Sequence, residues 1–445
     1  MTRCCPLIGC CILVATVSQA AELKFPPRLP GDRSLVSVVS EEFLKPFGNL
    51  KPGTRIARVA PRVDFFYYPG QTYRGNPWSV WGDGLAVGEK YYSAIGDHKG
   101  PEGNAFVYEY DAKSRSLSRI VDVRQVLKLP TGHYSPGKIH SRLDMGRDGW
   151  LYFSTHRGST RVTIPKYHYR GDWILRHHPG RHLTEIVAQA PLPNQCLPTS
   201  VLDPERLIFY AGTADGDFRN KRVRFLAYDL ANRKVLYTDD AGPYRYLIFA
   251  RSTGRVYFLQ SAGRGAISNL VRFDPRTPGP PTRIDARLGL RSASIETERG
   301  RVYTVDGDDL WEFNTENERV THLGPAVVGD QTYITSLDVD PLTQRYLYYI
   351  AGAHGGSQHD GSPLVQFDIR TRHRKVIAFL HPYCHAQFGY IAQGTYALAV
   401  SPLGDRVYVT WNGNRGTPRT GSIQKPRFNT CALTVIHIPA AERVP

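Results

Sequence analysis

Two histidines, His140 and His156, bracket the stretch GKIHSRLDMGRDGWLYFSTHRGST, residues 137–160. Arg142 follows the first closely and Arg157 adjoins the second. Two apolar β-type runs lie between them, joined by the tight turn MGRDGW, and a hairpin of that kind returns both histidines to one edge. Imidazole exchanges protons near neutral pH and guanidinium offsets an anion. Together the four side chains make a proton-transfer site for an anionic substrate. The same residues also fit the exposed loops of a basic protein.

The elements that would carry such a site repeat along the chain. One strand type ends in an aromatic residue followed by Asp, or a close variant: FVYEYD (106–111), FLAYD (225–229), LVRFD (270–274), LWEFN (310–314) and LVQFD (364–368). A Tyr/Phe-patterned strand precedes each: KYYSAIG, RLIFYAG, RVYFLQS, RVYTVDG and YLYYIAG. WLYFSTH and RVYVTWNG add two further copies, with degenerate partners in WILRHH and ALTVIHI. Turn signals such as GRDG, DPER, STGR and PLGDR recur between strands, and almost no stretch has useful helical periodicity. Seven units of this length predict an all-β, seven-bladed β-propeller over residues 54–445. The strand material at 54–68 is expected to close the ring against the last unit. Residues 21–53, rich in proline and charge, read as an extended N-terminal segment.

In such a blade the innermost strand begins on the face where the second strand ends. That rule gathers candidates on one face of the central channel. His140 and Tyr246 begin inner strands, with Arg245 beside Tyr246; His156 and Tyr210 end second strands, and Arg224 begins a third. Asn194 lies on an inter-blade link. His354, in AGAHGG, ends another second strand, and Cys384 and His385 fall in the HPYCHAQ link. Trp78, Trp81 and Trp411 are candidates for stacking on sugar rings, and Tyr210 equally fits core packing.

No GxSxG elbow or Walker loop is present, and the paired carboxylates of a glycosidase are not evident at this face. Asp97, Asp306 and Asp308 are the obvious acidic residues for a metal-dependent alternative. Imidazole, phenol and guanidinium instead suit β-elimination from a uronate. There a cation offsets the carboxylate, a base removes the α-proton and an acid assists the leaving oxygen.

The seven-unit propeller, the His140/His156 pair, Tyr210, Arg224 and Tyr246 resemble the β-propeller polysaccharide lyases of the ulvan lyase type. The resemblance spans roughly residues 60–440. It implies proton transfer by His140, His156 and Tyr210 or Tyr246, and neutralisation by Arg224. Arg142, Arg157, Asn194, Arg245 and Trp411 are expected to bind substrate. Some members carry a structural zinc held by His and Cys, a part that His354, Cys384 and His385 would play here, although their spacing departs from standard zinc signatures. No organic cofactor is expected. A non-catalytic glycan-binding or scaffold propeller of the cell envelope is the alternative from another class.

Composition agrees with an anionic polymer as partner. The formal net charge is +16, and the basic residues are dispersed with no recognition helix, which argues against nucleic acid. Residues 1–20 read as a cleaved signal peptide, with a short basic start, an apolar run too short to span a membrane and small residues before Ala21. A secreted or periplasmic monomer is expected, with lipidation through the early LIGC motif the lesser reading. The three cysteines beyond that segment, Cys196, Cys384 and Cys431, are too few for a disulfide framework.

Overall fold

A computed structural model of the chain describes residues 23–72, 78–158, 162–216, 222–261, 269–416 and 428–443. The expected signal peptide lies outside these residues. Seven sheets, antiparallel except for one short edge strand, form a seven-bladed β-propeller. Blade 1 runs from Leu85–Val87 to Ser116–Asp122, and blade 2 from Lys138–Ile139 to Leu183–Gln189. Blade 3 runs from Gln195–Asp203 to Lys234–Asp239, and blade 4 from Pro243–Ala250 to Thr282–Ile284. Blade 5 spans Ser292–Ala293 to Val320–Pro325, and blade 6 spans Leu337–Val339 to Arg374–Phe379. Blade 7 is built from Tyr390–Val400, Arg406–Arg415 and Thr430–His437, and Arg62–Tyr67 completes it from the other end of the chain.

The Val-, Tyr- and Phe-rich strands suit this packing because both faces of each sheet are covered by neighbouring blades. Between blades 7 and 1, Tyr91 stacks on Tyr408 at 4.9 Å, within a cluster that includes Trp78, Tyr108 and Tyr110. The closing strand is also held by charge. Buried Asp64 accepts hydrogen bonds from Ser37 (2.5 Å), Arg115 (2.8 Å) and His437 (3.1 Å). Its partners hold the Asp64 carboxyl below the usual carboxylate range against the opposing effect of burial.

The segment before residue 54 is extended but anchored. Val36–Val39 pairs with the closing strand, Phe43 is fully buried in the core between blades 6 and 7, and Arg55–Ile56 runs parallel to the outer strand of blade 6. No helix among the described residues is long and apolar enough to cross a membrane.

Candidate active site

The hairpin of blade 2 brings the first two candidates together. His156 pairs across from Lys138, and Thr155 from Ile139. This register leaves the imidazoles of His140 and His156 edge to face, 5.6 Å between centroids. His140 donates from Nδ1 to the Pro198 carbonyl at 2.8 Å, which leaves Nε2 as the lone-pair nitrogen.

The segment entering blade 1 packs against this pair. Asn412 clasps Val80 from blade 7, accepting from its amide at 2.7 Å and donating to its carbonyl at 3.0 Å. At Gly82 a Cβ would stand 2.1 Å from the Ser141 carbonyl oxygen, so only glycine allows this approach. Trp81 thereby reaches the channel mouth. Its ring stacks near that of His140 (6.1 Å) and meets His98 (5.7 Å), His354 (6.2 Å) and Tyr396 (4.8 Å). The Lys138 ammonium lies 4.6 Å from the same ring.

Arg291 closes the far side. Its Nε donates to the Tyr333 hydroxyl at 2.8 Å, and its guanidinium lies 5.6 Å from the Tyr396 ring. Tyr333 packs on His354 at 4.4 Å. Four imidazoles, two phenols, one indole and the cations of Lys138 and Arg291 thus converge on one mouth, with exposed Arg245 at its rim.

Asp83 and Asp144 are held a layer deeper. Tyr246 donates to Asp83 Oδ2 at 2.5 Å and accepts from Arg142 at 3.1 Å, and Arg142 faces Asp144 at 3.6 Å. This partition separates the mouth from a cavity of about 330 Å³ toward the opposite face, which Asp144, Asp338, Glu296 and Arg251 also line.

The environment keeps the imidazoles neutral. Burial, then Lys138 and Arg291, pushes His140 down to about 3. Burial first, then Lys138, holds His98 and His156 well below the usual histidine range. Burial, then the Arg291 and Arg245 charges, lowers His354. Lys138 is itself pushed down to about 8 by burial and Arg157. Burial pushes the Tyr396 phenol up. The mouth is therefore a cationic, aromatic pocket with neutral imidazoles, suited to an anionic ring.

Of the residues read from the sequence, His140, His156, Tyr246, Arg142, Arg245 and His354 lie at or just beneath this mouth. Arg157 lies behind it, donating to the Asp215 carbonyl and to Cys196 Sγ. Others do not join them. Tyr210 is fully buried between Phe225, Phe249 and Phe273, because its strand continues to Asp215 and leaves Tyr210 in the blade interior. Arg224 turns to exposed Asp240 at 2.9 Å. Asn194 is an exposed turn residue in the left-handed conformation, bonded through its carbonyl to Gly216. Trp411 is fully buried and donates to Thr434 at 2.9 Å, so it packs blade 7 and offers no sugar platform.

The expected zinc set does not converge either. HPYCHAQ forms a helix, His381–Phe388, which turns Cys384 into the core and its neighbour His385 to solvent, while His354 stands at the channel mouth. These residues do not fit a shared ion. Two of the acidic candidates serve local structure: Asp97 caps the amides of Lys99 and Asn104, and Asp308 bonds Lys51 and Val327. The third, Asp306, is exposed near Arg291 and Arg245, whose charges oppose the upward push of burial on its carboxyl. His98, Lys138, Arg291, Tyr333 and Tyr396 escaped the sequence reading. Lys138 begins an inner strand, Arg291 directly precedes one and Tyr333 lies on a link between blades, whereas His98 follows a second strand and Tyr396 sits in the middle of the inner strand of blade 7.

No protein-family model matches the chain, and no curated protein matches it. Among solved structures, an oligogalacturonate lyase in complex with manganese is 12% identical. The alignment covers 90% of this chain and 100% of that one, at a TM-score of 0.50. The β-propeller domain of the Trilobed protease from Pyrococcus furiosus is 11% identical over 82% of this chain and 94% of its own, at 0.46. The RRP9 WD40 repeats are 12% identical over 82% and 96%, also at 0.46. At such identities the likeness establishes the propeller fold alone.

Proposed function

We propose that the chain is an exported lyase that cleaves an acidic, uronate-containing polysaccharide by β-elimination. The observation that carries this reading is the convergence of Trp81, His140, Arg291, Tyr333 and Tyr396 on one cationic mouth, with Asp83 held beneath it by Arg142 and Tyr246. Trp81 offers a sugar-ring platform. Arg291 and Arg245 meet the uronate carboxylate and make its α-proton removable. His140, its Nδ1 committed to Pro198, accepts that proton at Nε2. The electron pair forms the ring double bond as the bond to the 4-oxygen breaks, and a phenol, Tyr396 or Tyr333, returns a proton to the leaving oxygen. An incoming carboxylate offsets Lys138 and Arg291, the charges that help hold His140 neutral, and so raises its basicity when substrate is bound. The oligogalacturonate lyase among the structural neighbours acts on an acidic sugar chain by its name, which is in keeping with this substrate class.

The test is ultraviolet absorbance of the purified protein with oligogalacturonate or pectate, ulvan, and heparan- and chondroitin-type glycans. A rising signal from the new conjugated double bond supports the reading and names the substrate. Binding without any rise identifies a glycan-binding propeller instead.

A further inference from the structure

Behind the channel mouth, His156, Asp172 and Cys196 bring a ring nitrogen, a carboxylate oxygen and a sulfur within 4.8 Å of one another. All three are buried, and they come from separate elements. His156 ends the second strand of blade 2, Asp172 precedes its third strand at Trp173, and Cys196 lies on the inner strand of blade 3. His156 is 8% exposed, yet its Nδ1 has no hydrogen-bond partner. A buried imidazole nitrogen left unpaired is costly, and it asks for a ligand.

Hydroxyl donors order the set, which also lies in the field of the Lys138 and Arg157 charges. Thr155 (2.7 Å) and Tyr134 (2.9 Å) donate to Asp172 Oδ1, and Tyr169 reaches Oδ2 at 3.4 Å. These hydroxyls fix the carboxylate as an acceptor, as outer partners do around metal-binding carboxylates. The Tyr169 hydroxyl and the Arg157 guanidinium approach Cys196 Sγ at 3.2 and 3.6 Å, placing donors beside the sulfur. Mixed N, O and S donors favour zinc over the hard cations. Ligand atoms on tetrahedral zinc stand roughly 3.3–3.8 Å apart, so a contraction of about 1 Å would close the set.

We infer that His156, Asp172 and Cys196 form a structural zinc site that ties blade 2 to blade 3, with the fourth position left to water or the Tyr169 hydroxyl. On binding, the Sγ–H proton passes to solvent as the sulfur–zinc bond forms. His156 then serves as a ligand that holds the end of the hairpin, and His140 keeps the proton-transfer role. The inference does not rest on the lyase reading, because its readouts need no turnover.

The test is metal analysis of the full purified protein after equilibration with zinc chloride and dialysis, together with the absorption spectrum after cobalt(II) loading. About one equivalent of zinc and a thiolate-to-cobalt charge-transfer band are expected. The band should vanish in Cys196→Ser and persist in Cys384→Ser and Cys431→Ser, whose thiols are also buried. Should Cys196→Ser fail to fold, the wild-type protein decides: zinc raises its thermal midpoint and a chelator lowers it. Absence of bound zinc, of the cobalt band, or of any zinc-dependent shift overturns the inference. So does a cobalt band that survives loss of Cys196.

Discussion

The imidazoles of His140 and His156 stand edge to face, 5.6 Å apart, and yet differ in what their nitrogens meet. His140 Nδ1 donates to the Pro198 carbonyl at 2.8 Å, whereas His156 Nδ1 is buried with no partner. One ring has a fixed tautomer with Nε2 free to accept a proton. The other has a nitrogen available to a ligand.

That difference makes His140 the decisive substitution. His140→Gln is expected to lower kcat by about 10²–10⁴-fold while leaving the dissociation constant for the acidic glycan nearly unchanged. Turnover at wild-type level in this variant would remove His140 from the mechanism.

Arg291 tests recognition of the carboxylate. Lys at this position keeps the charge and loses the planar fork that bonds Tyr333 and covers Tyr396. Arg291→Lys should lower kcat/KM by roughly tenfold or more, and Arg291→Ala should lower it further. Steady-state kinetics on the substrate found by absorbance check both.

Two tryptophans separate platform from packing. Trp81→Ala is expected to raise KM about tenfold through lost stacking. Trp411→Ala should instead cost about 3–5 kcal/mol of stability, measured by denaturant unfolding, because it empties a fully buried site.

Tyr210 gives the complementary test. Its hydroxyl is buried without a partner, so Tyr210→Phe should leave activity intact and leave stability unchanged or raised by about 1 kcal/mol. A large loss of turnover would return Tyr210 to the site.

The acid limb of stability carries the signature of the mouth. An unfolded histidine titrates near 6.5, whereas folded His140 is held at about 3. Between those values the unfolded chain holds a proton that the folded one does not, so stability falls as pH falls. The slope is at most about 1.4 kcal/mol per pH unit for one such histidine. Asp338, raised to about 6 by burial, acts in the opposite sense: it adds stability as pH falls from about 6 toward 4. His140→Gln should therefore flatten the acid loss of the thermal midpoint, and Asp338→Asn should steepen it.

The fold was legible because five units repeat an aromatic–Asp strand or a close variant, and every one of the seven third-strand motifs and their partners overlaps an observed strand of the propeller. The site was legible where a residue begins an inner strand, as for His140 and Tyr246. The rule failed where a strand end was set too early. FYAGT reads as a strand end, but the strand runs on to Asp215 and leaves Tyr210 as a packing residue. Arg291, Tyr333 and Tyr396 escaped because their approach across the channel depends on ring closure, and no local pattern encodes it. Cys384 and His385 failed as a pair because their link folds into a helix, where adjacent side chains diverge by about 100°.

The last blade takes its fourth strand from Arg62–Tyr67, which pairs with Thr430–His437. That pairing orders events during synthesis. The closing strand leaves the ribosome early and must wait, with its ladder edge and the Phe65–Phe66–Tyr67 run uncovered, until its partner emerges at the other end of the chain. Until Asn412 has also emerged, the Trp81 segment lacks its clasp and the channel mouth cannot assemble. A nascent chain that stops short of residue 412 would therefore carry His140 and Arg291 without the clasp that completes the site between them.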